Sequence, residues 1–420
     1  MTSTLDAIDK YNMVFVSAQP DEVYFHWQVE IYMWQFAQHG IIDKCYAVFG
    51  HKGDEPSYAV KELKKLYKNI ITYKDDRTDN HPYKPMIRPY VMKKFFAQYP
   101  ALGKCVFYHD SDIFIVKLPK FELMLADNNG YASDTINYIG GNYLKDCSKR
   151  YKDKHKDLPE NDLFLKMCDL LGVVPKLIED NEKNTGGAQY LLKNIDAAYW
   201  ERVEKSTDKL FKFFKEYEKK YPVDHHVQSW ATDMWTVLWE YWKMGNKTLI
   251  HPELDFSWAT DPVQNYFKKN IFHLAGVNSN ACSDKFFKGH YNSKHAIKEY
   301  LRNPDIFNHV SPLNTTYEYV HVLKLYANTL KPKQVQRFRI NTSNSWGGVY
   351  RRTDKIFLNR PLWRSIDGNY TMFHNKSCWI LTATKYEAEF SETCGGFVSN
   401  AADEPYEYGW NVEGVTVTLF

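Results

Sequence analysis

Through the first quarter of the chain, short apolar runs alternate with stretches whose apolar positions recur at helical spacing. Residues 13–18 form the first apolar run, followed by the turn signal Gln19-Pro20-Asp21; this reads as a buried strand and its exit. Residues 25–39 then place Trp27, Ile31 and Trp34 on one helical face. A second strand at 44–50, a helix at 62–67 and a third strand at 70–73 continue the alternation. After a polar stretch, a helix over 89–98 leads into Cys105-Val106-Phe107-Tyr108, where the apolar run stops at His109-Asp110-Ser111-Asp112. Such alternation predicts an α/β fold with an open, mostly parallel sheet that binds ligands at the C-terminal ends of its strands.

Farther on, residues 161–242 read as largely helical, broken by Asn184-Thr185-Gly186-Gly187-Ala188-Gln189-Tyr190, a glycine pair expected to form a turn. Asp224 is expected to cap a helix over 227–242 whose buried stripe includes Trp230, Met234 and Val237. A strand at 248–250 and the apolar run Ile271-Phe272-His273-Leu274-Ala275-Gly276 follow. From Arg337 onward the pattern changes to short strands punctuated by Gly, Asn and Asp. The expected organisation is an α/β domain over 1–290, a helical connector over 291–335 and a small β-rich domain over 336–420.

At 420 residues the chain is longer than one core usually organises. The net charge of +3, with lysine runs interrupted by apolar and acidic residues, gives no nucleic-acid footprint. No segment approaches the length of a membrane span, and the polar first eleven residues do not read as a leader. Seven cysteines without C-x-x-C spacing fit free thiols in a reducing compartment. Aromatic residues make up 16% of the chain, a level suited to stacking on sugars or bases.

Asp110-Ser111-Asp112 is the only D-x-D in the chain. Two carboxylates at the end of a buried strand can share a hard divalent cation, leaving its other positions to diphosphate oxygens and water. Such a cation offsets the charge that builds on a departing diphosphate. His273 is the candidate third ligand, and Gly276 permits close approach to phosphate. Asp233, at the edge of its helix, is the candidate catalytic residue: a general base if configuration inverts, an orienter of donor hydroxyls if it is retained. Ser17, Gln19 and Asp21 are placed after the first strand to meet a nucleobase and ribose. Gly186, Gly187 and Gln189 form a candidate sugar or acceptor platform.

From about residue 11 to 291 these features resemble, in order, GT-A glycosyltransferases of the peptidyl-serine galactosyltransferase and hydroxyproline arabinosyltransferase group. The resemblance runs through Phe25-His26-Trp27-Gln28, Lys84-Pro85 to Arg88-Pro89, the acidic motif, Gly186-Gly187-Ala188, Asp233-Met234 and His273. It implies a Rossmann-like nucleotide-diphospho-sugar transferase domain followed by a small all-β domain. It further implies Mn²⁺ or Mg²⁺ on Asp110, Asp112 and His273, and a nucleotide-sugar donor, a UDP-sugar, near Lys84, Arg88 and Ser111. The acceptor would be a hydroxyl of a glycan or protein. The chain departs from the group in its Asp-Ser-Asp triplet and in lacking a leader. It is also similar in general look to intracellular transferases of bacteria and large DNA viruses, which gives a cytoplasmic expectation, in the host if viral.

Two other readings remain open: a carbohydrate-binding or structural protein with a decayed transferase domain, and a phosphatase using the D-x-D. The phosphatase pattern wants Thr or Val where Phe114 stands. The C-terminal segments Gly347-Gly348-Val349-Tyr350, Asn359-Arg360-Pro361-Leu362-Trp363 and Ser377-Cys378-Trp379-Ile380 resemble a small all-β module of marine microbes and their viruses. Its aromatics are expected to pack inside a small sandwich.

Overall fold

The computed structural model describes residues 3–77, 81–330, 337–341, 346–357, 360–374, 379–383, 397–398 and 416–419. The chain divides into two compact units, Met1–Asn328 and Thr329–Phe420.

In the first unit the strands are β1 (Val14–Pro20), β2 (Cys45–His51), β3 (Ile70–Lys74), β4 (Cys105–His109), β5 (Ile113–Ile115), β6 (Gly130–Asp134), β7 (Gly186–Lys193), β8 (Thr248–Ile250), β9 (Phe256–Trp258) and β10 (Ile271–His273). Seven of them form one sheet in the order β3-β2-β1-β4-β7-β6-β8. All but β7 run the same way; β7 is antiparallel to both β4 and β6. The order reverses at β1, which lies between β2 and β4, and a doubly wound sheet opens its ligand crevice at such a point.

The central strands are apolar without alternation because both faces of the sheet are covered. At the start of β1, Phe15 and the preceding Met13 face one core with Trp27, Ile31 and Phe36, whereas Val14 and Val16 face the other with Val91, Phe95 and Trp200. Helix Val23–Ala37 therefore covers one face and helix Ile87–Gln98 the other. A second, three-stranded sheet, β5-β10-β9, sits beside the first core. Helices Ala296–Arg302 and Thr315–Leu330, within the stretch assigned above to a connector, contribute Ile297, Tyr300, Tyr319 and Leu323 to that same core. The Tyr319 ring stacks on Phe114 of β5 at 4.5 Å.

Three sequence expectations are corrected. The glycine pair at 186–187 is not a turn but the start of β7, because a side chain at Gly186 would lie 2.2 Å from the Ser133 carbonyl and only glycine lets β7 close on β6. Asp224 caps nothing; it is exposed beside Lys154 at 3.4 Å, and the helix starts later, over Thr232–Lys243, behind a single 3₁₀ turn at Ser229–Ala231. That delay turns Trp230 out of the buried stripe, leaving it 58% exposed.

The second unit contains β11 (Arg337–Asn341), β12 (Gly348–Phe357), β13 (Arg360–Ser365), β14 (Tyr370–His374), β15 (Trp379–Ala383), β16 (Phe397–Val398) and β17 (Thr416–Leu419). They make one antiparallel sheet in the order β16-β15-β14-β13-β12-β11-β17. Tyr350, Trp363 and Trp379 are buried against Met372 and Leu381, as the aromatic pattern leads one to expect. Asn359, Ser377 and Cys378 of the sequence motifs lie outside the described residues, as does Cys394; Cys45, Cys105, Cys147, Cys168 and Cys282 are free thiols. Among the described residues no helix is long and apolar enough to cross a membrane.

Candidate metal and donor cleft

β4 is buried from end to end and stops at His109, whose Nδ1 lies 2.8 Å from the Asp110 carbonyl oxygen. After the three residues 110–112 the chain re-enters extended structure as β5, which leaves the main sheet and pairs with β10. In that ladder His273 stands opposite Ile113, and the Leu274 N–H donates to the Asp112 carbonyl at 2.9 Å. Backbone pairing therefore carries residue 273 to the acidic motif. Gln35 holds the far end of β5: its Oε1 accepts from the Ile115 N–H at 3.1 Å and its Nε2 donates to the Ile115 carbonyl at 2.6 Å.

Candidate ligand atoms of Asp110, Asp112 and His273 lie within 4.8 Å of one another. His273 Nε2 faces them, 3.6 Å from Asp110 Oδ2 and 3.3 Å from Asp112 Oδ1. Its Nδ1 is buried without a hydrogen-bond partner, and the ring stacks on Trp258 at 6.0 Å. Two carboxylates and an imidazole match the donor set of Mn²⁺ or Mg²⁺, whose bonds of about 2.1 Å put neighbouring ligands about 3 Å apart.

Two cations border this corner from opposite sides. Lys288, on a 3₁₀ turn at Lys288–Tyr291, bonds Asp112 Oδ2. Burial opposes its charge, but Asp112 outweighs that and holds the ammonium above its usual range. Burial likewise raises the Asp112 carboxyl, yet Lys288 and His273 win and hold it well below the usual carboxylate range. On the other side Arg88 Nη1 is 2.9 Å from Asp110 Oδ1 and 3.1 Å from Asp233 Oδ2. Tyr83 donates to Asp233 Oδ1 at 2.5 Å. Burial raises the Asp233 pKa, and Arg88 and Tyr83 only partly offset it. All of these except Tyr83 line one cleft of about 290 Å³.

The cleft thus gathers Arg88, Asp110, Ser111, Asp112, Asp233 and His273 of the sequence candidates. The remaining candidates lie elsewhere. Ser17 is fully buried with its hydroxyl 2.6 Å from Tyr32 Oη, and Gln19, also fully buried, donates to the Val48 carbonyl. Asp21 accepts from Ser57 and His26, and Lys84 pairs with Glu22 at 2.7 Å; both border a separate polar hollow. Gly186 and Gly187 admit close packing by Ser133, Tyr190 and Met234, and Gln189 accepts from Ser133 Oγ inside the sheet. Gly276 adopts φ +97° and follows Ala275, which does line the cleft. Sequence reasoning missed Lys288 and Tyr83. Nothing in the pattern around either residue marks it, because each reaches the site through the tertiary fold alone.

The sequence matches no protein-family model and no curated protein. Among solved structures it is similar to the galactosyltransferase LgtC in complex with donor and acceptor sugar analogues, at 15% identity and TM-score 0.34, over 66% of this chain and 94% of that one. It is also similar to a glycosyltransferase involved in glycosylation of the major capsid of PBCV-1, at 11% identity and TM-score 0.28, over 63% and 94%. A third similarity is to the bifunctional glycosyltransferase WbbM, at 12% identity and TM-score 0.32 over 63% of this chain, which spans 46% of the length of that protein. The α/β assignment stands on the strand order and connections described above.

Proposed function

We propose that the first unit is a metal-dependent GT-A glycosyltransferase that moves a hexosyl or pentosyl group from a nucleotide diphosphate, a UDP-sugar, to a hydroxyl of a glycan or protein. Kinship with the peptidyl-serine galactosyltransferase group belongs to the same proposal. The observation that carries it is the convergence of Asp110, Asp112 and His273 with Lys288 and Arg88 in one cleft at the end of β4.

Asp110, Asp112 and His273 would hold the Mn²⁺ or Mg²⁺, which when bound supplies charge neutralisation for the diphosphate leaving group. Lys288, held protonated beside Asp112, would add a second positive charge to that diphosphate. Arg88 fixes Asp110 and Asp233 relative to each other. In the reaction the bond from the sugar's anomeric carbon to the phosphate oxygen breaks, and the diphosphate leaves with the electron pair. The acceptor oxygen bonds that carbon and gives up its proton. Asp233, whose pKa burial raises, is suited to take that proton if configuration inverts.

The test is nucleotide release from a panel of UDP-, GDP- and other nucleotide-sugars with Mn²⁺, beside a folded Asp110→Ala/Asp112→Ala variant. Slow hydrolysis needs no known acceptor. The expected result is metal-dependent release from one donor that disappears in the variant. No release and no donor-induced rise in Tm for any donor would overturn the transferase reading in favour of a carbohydrate-binding protein.

A further inference from the structure

The cleft has an aromatic wall that the chemistry above does not use. It starts at His273, whose ring stacks on Trp258 with centroids 6.0 Å apart and planes at 18°. Trp258 meets Tyr138 edge-on at 6.0 Å, and Tyr138 stacks on Trp230 at 5.8 Å and 30°. The wall therefore runs continuously from the metal corner to the rim. Its last member, Trp230, is the only exposed tryptophan among the described residues. One face of its indole packs on Tyr138, and the residue as a whole is 58% exposed. A large aromatic left open on the rim of a polar cleft forfeits burial, the usual reason for placing tryptophan inside.

The backbone beneath the indole is held as well. The Trp230 carbonyl oxygen lies 2.8 Å from Tyr83 Oη, whose single proton it shares with Asp233 Oδ1. One phenol thus ties the backbone of the platform to the carboxylate. The position relative to the charges narrows the occupant. Lys288 and Tyr24, which suit a diphosphate, lie beside Asp112, whereas Trp230 is tied through the Tyr83 hydroxyl to Asp233, which pairs with Arg88. A group resting on Trp230 is therefore across the metal corner from the leaving group, where an incoming nucleophile belongs. The two basic side chains lining the cleft, Lys288 and Arg88, are paired with Asp112, Asp110 and Asp233, so the open aromatic surface favours an uncharged, flat, partly apolar ring. A pyranose fits: its C–H face packs on an electron-rich indole while its hydroxyls stay free to reach polar groups.

Resting on the transferase reading, we propose that Trp230 and Tyr138 form the acceptor subsite and that the acceptor is a carbohydrate. One pyranose ring lies on Trp230 and the hydroxyl to be glycosylated turns towards Asp233.

The experiment is saturation-transfer NMR on the full chain with a panel of α- and β-linked disaccharides, in the presence of UDP and Mg²⁺. It is run on the wild type, Trp230→Ala and Trp230→Phe, with the UDP-induced rise in Tm measured for each. The expected result is transfer to ring C–H protons of at least one disaccharide, lost in Trp230→Ala, retained in Trp230→Phe, with the UDP-induced Tm shift present in all three. Three results would overturn the proposal: no disaccharide giving signal, a signal indifferent to Trp230→Ala, or loss of the UDP shift in that variant with the sugar signal intact, which would make Trp230 a nucleobase stacker. A Trp230-dependent sugar signal in a protein that releases nucleotide from no donor would sink the transferase reading and leave the sugar platform standing.

Discussion

Both carboxylate oxygens of Asp233 are engaged, Oδ1 by Tyr83 and Oδ2 by Arg88, in a setting that raises its pKa through burial. An amide at that position can accept from only one of these two donors, so a purely structural role would show as lost stability and weakened nucleotide binding, whereas a lost proton acceptor would show in the rate alone. Asp233→Asn is expected to lower the transfer rate about 10²-fold or more, with the UDP-induced Tm shift preserved; the comparison of kcat with nucleotide binding checks it. Asp21 offers a second residue-scale prediction. Burial raises its pKa, but hydrogen bonds from His26 and Ser57 outweigh this and leave it lowered. A carboxyl depressed on folding contributes stability that is present above its unfolded pKa of about 4 and is lost as pH falls through the folded value. Asp21→Asn should cost about 1–3 kcal/mol at pH 7, and the gap to wild type should narrow as pH drops below about 4; urea melts across that range read it directly. At this scale the sequence was partly legible. The D-x-D stood out by its place at the end of an apolar strand, and His273 as its candidate partner, whereas Ser17, Gln19 and Gln189 proved to lie buried inside the sheet, where each makes a hydrogen bond and Gln19 Oε1 and Gln189 Nε2 have no partner.

Elements, not single residues, decide whether the metal corner exists. Asp112 and His273 meet because β5 and β10 pair in one register, and a slip of one residue would turn His273 to the opposite face. The far end of β5 is held by the amide of Gln35, which satisfies both the N–H and the carbonyl of Ile115. Gln35→Leu is expected to cost about 1–3 kcal/mol through the unpaired Ile115 N–H, the carbonyl keeping His39 Nε2 as a partner. It should also weaken Mn²⁺ binding, although Gln35 touches none of the ligands. Chemical denaturation and metal titration by calorimetry test the two halves separately; full stability with unchanged metal affinity would refute the clamp. The β-α alternation of the first 110 residues was readable because two-sided burial writes unbroken apolar strands. The reversed strand β7 was not, since Gly186-Gly187 looks the same as a turn until the Ser133 carbonyl is seen against it.

For the whole molecule, the two units have separate cores, the second built on Tyr350, Trp363 and Trp379. Residues 1–330 are therefore expected to fold cooperatively and to keep metal-dependent nucleotide release. Truncation after residue 290 should abolish folding, because Tyr319 and Leu323 of the helix Thr315–Leu330 are buried in the same core as Phe114 and Phe272. Circular dichroism melts and the release assay on the two truncations check this, and a stable 1–290 fragment would refute it.

The sequence by itself determined the α/β character of the first unit, the change to β structure after residue 336 and the acidic motif at the end of β4. Hydrophobic period and turn chemistry are local, and burial imprints them directly on neighbouring residues. Only the tertiary structure decided that His273 joins that motif, that Lys288 and Arg88 flank it, and that Trp230 leaves the buried stripe for the rim. Those placements depend on pairing register, on the late start of one helix and on contacts between residues far apart in the chain. No local pattern of hydrophobicity encodes them.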